Sequence, residues 1–222
     1  MDLFEAIQTR QSTRAFTKKS VPQDCIYKIL DLARWSPSGV NAQPWKVVVV
    51  TGDIKQKIGQ AIIQARESDT PENPDYSYYS KDWFEPYKSR RKACGMALYA
   101  SQGITLTDKE LRKAAWYRNY HFFDAPVGLL FFVDERLSVG SWIDIGMFIQ
   151  TLMLAARGLK LATCPQAALA EYPDIVRQFV KLDKQYKLIC GMALGYPEAS
   201  AAINQYRTER EPVDYFTDFI GF

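Results

Sequence analysis

The sequence predicts an α+β fold, a mixed central sheet flanked by helices. Three observations carry that expectation. Short apolar runs recur at 45–50 ("WKVVVV"), 127–133 ("VGLLFFV") and 186–197 ("YKLICGMALGYP"), each reading as a strand buried on both faces. Helical runs separate them. Several of those helices fall in pairs between strands, so the chain lacks the strict βαβ alternation of a doubly wound sheet.

Taken in order, residues 2–10 read as a short amphipathic helix. "PQDCIYKILDLARW" (22–35) is a second, opened by a proline where a first helical turn accepts one. "SPSGVNAQP" (36–44) is dense in Ser, Pro, Gly and Asn and must be a loop. After the first strand, 53–68 form an amphipathic helix with a core stripe at Ile54, Ile58, Ile62 and Ala65. Residues 69–91 change character: Pro71, Pro74 and Pro86 alternate with Tyr76, Tyr78, Tyr79, Trp83, Phe84 and Tyr87. That mixture is too aromatic for a disordered linker and reads as an ordered excursion over a surface or a pocket. Helices follow at 92–102 and 108–121, then the second strand. The run 139–157 is apolar nearly all round, which suits a central helix or an oligomer-interface helix. The segment 205–222 ends with Tyr215, Phe216, Phe219, Ile220 and Phe222; it either packs on its own domain or wraps a partner chain.

Composition narrows the function classes. A formal charge of +3, with no basic run longer than "RRK" at 90–92, is too mild for a nucleic-acid binder and suits a small anionic ligand. Four scattered cysteines, with no CxxC pair, fit a reduced cytoplasmic setting rather than a disulfide framework. Asp2 and Glu5 stand where a signal peptide would be basic and then apolar. The most apolar long run, 142–156, carries Asp144 and Gln150 and is too short to span a bilayer, so no membrane partner is expected.

Several chemistries are absent. No G-x-G spacing exists, which removes the dinucleotide fingerprint and the P-loop. His121 is the sole histidine, so multi-histidine metal sites are excluded; among aromatics at a helix end it reads as a packed or capping residue. Cys164 has no cationic sequence neighbour to activate it and reads as a small buried thiol. What remains are anion binders: Arg10, Ser12 and Arg14 in "TRQSTRAF", with Arg207 and Arg210 in "QYRTEREP". If residues 9–16 are extended, Arg10, Ser12 and Arg14 share one face and suit a phosphate; if they stay helical, only the arginines stack. Alternatively Ser12 caps a helix end and the arginines are solvated. Chains without acid–base machinery of their own often borrow chemistry from a cofactor, and a phosphate-bearing organic cofactor would suit this set.

"TRQSTRAF", "WSPSGVNAQPWKVVVV", "DAPVGLLFFVD", "GLKLATCPQAA", "ICGMALGYP" and "RTEREPV", in that order from about residue 2 to the C-terminus, resemble the FMN-dependent nitroreductase family. The 69–91 insertion, with "EPYKSRRKACGMALY" behind it, looks like the nitrobenzene-nitroreductase branch. The resemblance implies a single FMN-binding domain over 1–222 and an intertwined homodimer with FMN at the interface. NADH or NADPH would give hydride to flavin N5, followed by two-electron, ping-pong reduction of nitroaromatic, quinone or similar acceptors. It implies no metal and no catalytic side chain. Carried over by position, Arg10, Ser12 and Arg210 would hold the FMN phosphate, with Arg207 a second candidate. Gln11 would face the ribityl chain, and Arg14 the pyrimidine end of the ring. Pro37, Ser38, Gly39 and Asn41 would reach the flavin from the second chain. Pro165, Gln166, Ala167 and Ala168 would lie along the ring with a main-chain N–H facing N5, although family members often carry Glu-Gly in that stretch. The aromatics of 69–91, with Trp116, Tyr117, Phe122 and Phe123, would wall an open flavin face or else be plain core. Reductive dehalogenation, another specialised flavin reaction, or a non-catalytic flavin-binding dimer are the alternatives.

Overall fold

The computed structural model describes residues 1–222. Four strands, β1 (Lys46–Thr51), β2 (Val127–Asp134), β3 (Ala162–Gln166) and β4 (Tyr186–Gly195), form one sheet in the order β1-β2-β4-β3. The fold class is the α+β one expected, but the sheet departs from a mixed one. All three ladders are antiparallel, and the parallel pairing is confined to a single bridge between Ser12 and Thr163. Strand direction depends on which end of the sheet each connection returns to, and apolar runs do not encode that.

β2 is buried along almost its whole length because both faces are covered. Its side chains alternate: Leu130 and Phe132 join a cluster with Ile58, Ile62, Phe122 and Val176, while Val127, Leu129 and Phe131 join one with Ile29, Phe148 and Leu152. Helices α3 (Gly52–Glu67) and α7 (Pro173–Val180) cover the first face; α2 (Gln23–Ala33) and α6 (Val139–Gly158) cover the second. Each of these fully buried aliphatic or aromatic side chains contributes about 1.5–3 kcal/mol of transfer free energy.

Two expectations need correction. Residues 45–50 are not buried on both faces; only Val50 is, because β1 is an edge strand with one neighbour. Ile54 is exposed, and Lys55 occupies the inner side of α3 instead, donating its ammonium to the carbonyl of Ala125. The strand β3 and the helix α7 lie outside the elements read from sequence: β3 is only five residues with a proline inside, whereas α7 is amphipathic, with Pro173 and Asp174 in its first turn and Arg177 in its last.

α6 runs for 20 residues and is long and apolar enough to cross a membrane. Here it is a core helix. Ile145, Phe148, Leu152, Met153 and Ala156 are buried, while Val139 and Ile143 on its other side remain exposed. Helices α1 (Leu3–Thr9), α4 (Tyr87–Ala100) and α5 (Lys109–Tyr117) complete the chain; α4 and α5 bury no residue fully.

The excursion 69–91 is anchored on β4. The β2–β4 register slips by one residue between Phe131 and Phe132, where the partner skips from Cys190 to Leu188. The bulge leaves Ile189 without a cross-strand partner, and the excursion bonds to the backbone there and at the adjoining Leu188. Asp75 accepts from the Leu188 N–H at 2.8 Å, and the Tyr76 hydroxyl donates to the Ile189 carbonyl. Asp75 also makes a buried bidentate pair with Arg177, 2.6 Å at the closer contact. Beyond this anchor the chain carries Tyr78, Tyr79 and Trp83 outward as a packed aromatic series.

Candidate functional site

The helix α1 ends at Arg10, whose backbone turns to φ −60°, ψ 129°, and the chain continues extended to pair Ser12 with Thr163 of β3. Extension sorts the side chains by parity. Arg10, Ser12 and Arg14 lie on the side of Cys164, whose pKa the two guanidiniums and the Ser12 hydroxyl pull down against the larger effect of burial. Thr9, Gln11 and Thr13 face the other way, into a polar recess of about 300 Å³ shared with Arg157, Asn204 and Arg207. The extended alternative is therefore the one the chain adopts, and the helical one is not.

Arg10 is near two further cations, Arg210 and Arg207, the latter also lining the recess on the odd-numbered side. Burial, then the Arg210 guanidinium, then that of Arg207, push the Arg10 pKa below its ordinary value. Arg207 donates only to the carbonyls of Thr9 (3.1 Å) and Arg10, and Arg210 only to Thr208 and Glu209 main-chain oxygens and the Thr208 hydroxyl. Three guanidiniums thus stand together without a carboxylate among them. Like charges at this spacing repel, so the arrangement is stable in the presence of an anion that bridges them.

Arg14 leads from this cluster into a cavity of about 1050 Å³. It donates to the Tyr206 hydroxyl at 2.9 Å and to the Ser12 carbonyl at 3.3 Å, and it lies 5.9 Å from the Phe123 ring centroid. The floor beside it is Pro165, Gln166, Ala167 and Ala168, where β3 ends in a 3-10 turn. Tyr76, Tyr78, Tyr79, Trp83, Tyr87, Trp116 and Phe123 wall the space. Phe84 and Tyr117 do not line it, and Phe122 is fully buried core. The Gln166 side chain turns inward, donating to the Asn119 carbonyl at 2.7 Å and leaving its Oε1 buried without a partner. Cys164 is buried beneath the floor, and burial raises its pKa; it is the inert thiol expected. His121 packs against Gly59 of α3 and takes no part in the cavity.

Comparison with known proteins decides the lineage. The family model described as "Nitroreductase family" matches residues 7–196. The chain belongs to the nitroreductase family. It is 37% identical to a 4-nitrobenzoate reductase of Pseudomonas putida over 222 residues, covering 100% of this chain and 97% of that protein. The solved FMN- and NADPH-dependent nitroreductase NfnB from Sphigopyxis sp. strain HMH superposes with a TM-score of 0.95 at 36% identity, with both chains fully covered. NfnB from Mycobacterium smegmatis, solved with NADPH, gives a TM-score of 0.93 at 30% identity, covering 98% of this chain and 97% of that one. An iodotyrosine dehalogenase 1 homolog of Caenorhabditis elegans is more distant, 27% identical over 96% of this chain and 60% of that protein.

The residues present fit the cofactor of this nitroreductase family. A phosphate suits the Arg10, Arg207 and Arg210 cluster, and a flat ring suits a cavity bounded by Arg14, a strand end of small residues and aromatic walls. Gln11 is committed elsewhere: its amide donates to the Asn204 carbonyl at 2.7 Å, on the opposite face from the cavity. Nor does this chain bring Pro37, Ser38, Gly39 and Asn41 to the cavity. The Gly39 N–H is bonded to Asp144 (3.2 Å) near the start of α6, whereas Arg157 near its end is bonded to Thr9 (3.0 Å). Thirteen residues of helix put those two points about 20 Å apart along the α6 axis. The loop also carries Val40, Asn41 and Gln43 at φ of 50° to 57°, a left-handed cluster rare for such residues, with Val40 fully exposed.

Sequence reasoning misses the residues that hold the arginines in place. Asn204, nearly buried, accepts from the Arg14 N–H (2.9 Å) and donates to the carbonyls of Ala15 and Glu198. Arg118 donates to the Arg14 carbonyl at 2.9 Å. An asparagine 190 residues from its partner leaves no local signal.

Proposed function

We propose that this chain is an NAD(P)H-dependent FMN oxidoreductase that reduces nitroaromatic, quinone and similar flat acceptors as a homodimer. One observation carries the reading: Arg14, with no acidic partner, and Pro165–Ala168 floor an aromatic-walled cavity of about 1050 Å³, and Arg10, on the same extended segment as Arg14, has the Arg210 and Arg207 guanidiniums near it with no carboxylate paired to them. Bound FMN would supply the two-electron carrier between the nicotinamide and the acceptor. Arg10, Ser12 and Arg210 would hold its phosphate, with Arg207 closing the cluster behind Arg10. Arg14, whose charge is met by a hydroxyl and a carbonyl rather than an acid, would place positive charge against the ring end that gains electron density on reduction. The aromatic walls exclude water and stack flat molecules. No protein nucleophile is required, in keeping with the remote His121 and the buried Cys164.

The homodimer reading rests on what one chain leaves uncovered. Phe4, Tyr27, Trp35, Val139 and Ile143 are exposed, as are Phe216, Phe219, Ile220 and Phe222 in the tail, large apolar side chains that a partner would cover. The 37–41 loop, too far from its own cavity, would meet the flavin of a second copy. Four free cysteines fit a reducing, cytoplasmic setting.

Two-substrate kinetics tests the reading. If NADPH and nitrobenzene use one cavity in turn, double-reciprocal plots at several fixed acceptor concentrations give parallel lines. Intersecting lines, or no turnover of nitroaromatics and quinones, would contradict it.

A further inference from the structure

The first turns of α4 hold Lys88, Arg90, Arg91 and Lys92 and no acidic residue. Cations at a helix N-terminus face the positive end of the macrodipole and cost stability. Such a local conflict marks a place where something other than helix formation set the sequence. Arg90 is neutralised, paired with Glu211 at 2.8 Å and lying over Tyr215. Arg91 is not. Its guanidinium is laid on the Trp83 ring, 5.1 Å from the centroid, and has no acidic partner. Lys88 stands one turn before it, on the helical face continued by Gly95 and Leu98, and all four line the large cavity. The acids on that cavity, Glu72 and Glu171, are both bound to Arg66, so they leave the α4 wall uncompensated. Arg112, further along the same wall, has a buried Nε with no hydrogen-bond partner.

We propose that this wall binds an anionic group on the ligand, with Arg91 and Lys88 holding the carboxylate of an aromatic acceptor or the phosphate that distinguishes NADPH from NADH. A guanidinium held over an indole is partly restrained, so less side-chain freedom is lost when it takes a carboxylate or phosphate. The inference rests on the oxidoreductase reading above and assigns the ligand class of that same cavity.

The test uses the flavin-loaded protein and Arg91→Gln, with Lys88→Gln as a second variant; both positions are exposed, so folding is spared. KM is measured for 4-nitrobenzoate against nitrobenzene, each with NADH, and for NADPH against NADH, each with nitrobenzene. Binding of benzoate, which cannot be reduced, is followed by calorimetry. The expected result is a KM raised roughly tenfold for the anionic member of one pair, the order of one exposed charge-assisted contact, with kcat and the neutral member unchanged. Arg91→Lys should recover part of the loss. A selective rise with 4-nitrobenzoate and weaker benzoate binding identify the acceptor carboxylate; a selective rise with NADPH identifies the phosphate. Equal effects on charged and neutral members, or none, overturn the proposal. If the wild-type protein turns over neither nitrobenzene nor 4-nitrobenzoate, the oxidoreductase reading itself has failed, and that outcome is distinct.

Discussion

Replacing Arg10 by alanine should separate cofactor binding from folding. The guanidinium is half-buried, and burial together with Arg210 and Arg207 holds its pKa below the ordinary value, so the fold disfavours its charge. Removing it deletes no core carbon and relieves repulsion, so the FMN-free protein should keep its Tm or gain slightly. The phosphate of FMN loses a charge-assisted hydrogen bond, worth about 1.5–3 kcal/mol. At 1.4 kcal/mol per decade that is roughly a 10- to 150-fold rise in Kd. The assay is titration of the apo-protein with FMN, followed by flavin fluorescence, beside scanning calorimetry of the same samples. Riboflavin, which lacks the phosphate, is the internal control and should bind both proteins alike. An unchanged FMN affinity, an equal loss with riboflavin, or a Tm lowered by several degrees would refute the assignment of Arg10 to a phosphate.

Asp75→Ala should destabilise the fold by about 3–5 kcal/mol in urea denaturation, because it leaves a buried charge on Arg177 without its main partner. Asp75→Asn, which can still accept from the Leu188 N–H, should cost less; equal, small losses would mean the excursion is not anchored there. The buried thiols of Cys164 and Cys190, the latter pushed up to about 12, should stay silent to an aromatic disulfide reagent at pH 8 until denaturant is added, while the exposed Cys94 reacts. Rapid modification of Cys164 in the native protein would contradict its burial. Deleting residues 213–222 should leave the circular dichroism of a folded chain but weaken self-association roughly tenfold or more by sedimentation equilibrium. Unchanged association would show that the tail does not cover a partner.

How much was legible in the sequence varied with the range of the signal. The runs at 127–133 and 186–197 announced buried strands because both sheet faces are covered, and β2 behaves so. The run at 45–50 has the same composition but lies at an edge, and edge position is a property of the whole sheet. Arg10, Ser12 and Arg14 could be placed on one face by parity alone, since alternation needs only an extended backbone. The resemblance puts Gln11 on the cofactor with its neighbours, yet the same parity turns it away toward Asn204. The anchoring of 69–91 depended on a β-bulge in β4, 113 residues from Tyr76, and no local pattern marks a register slip. Ile54 and Lys55 exchanged the places expected of them because a buried ammonium found the Ala125 carbonyl.

The most direct measurement is the visible spectrum of the purified protein, recorded anaerobically before and after addition of NADPH and of NADH. The expected result is a yellow protein, or a colourless one that takes up FMN, whose flavin band bleaches with at least one of the two nucleotides. A protein that binds no FMN, or whose bound flavin is reduced by dithionite but by neither nucleotide, would contradict the central claim.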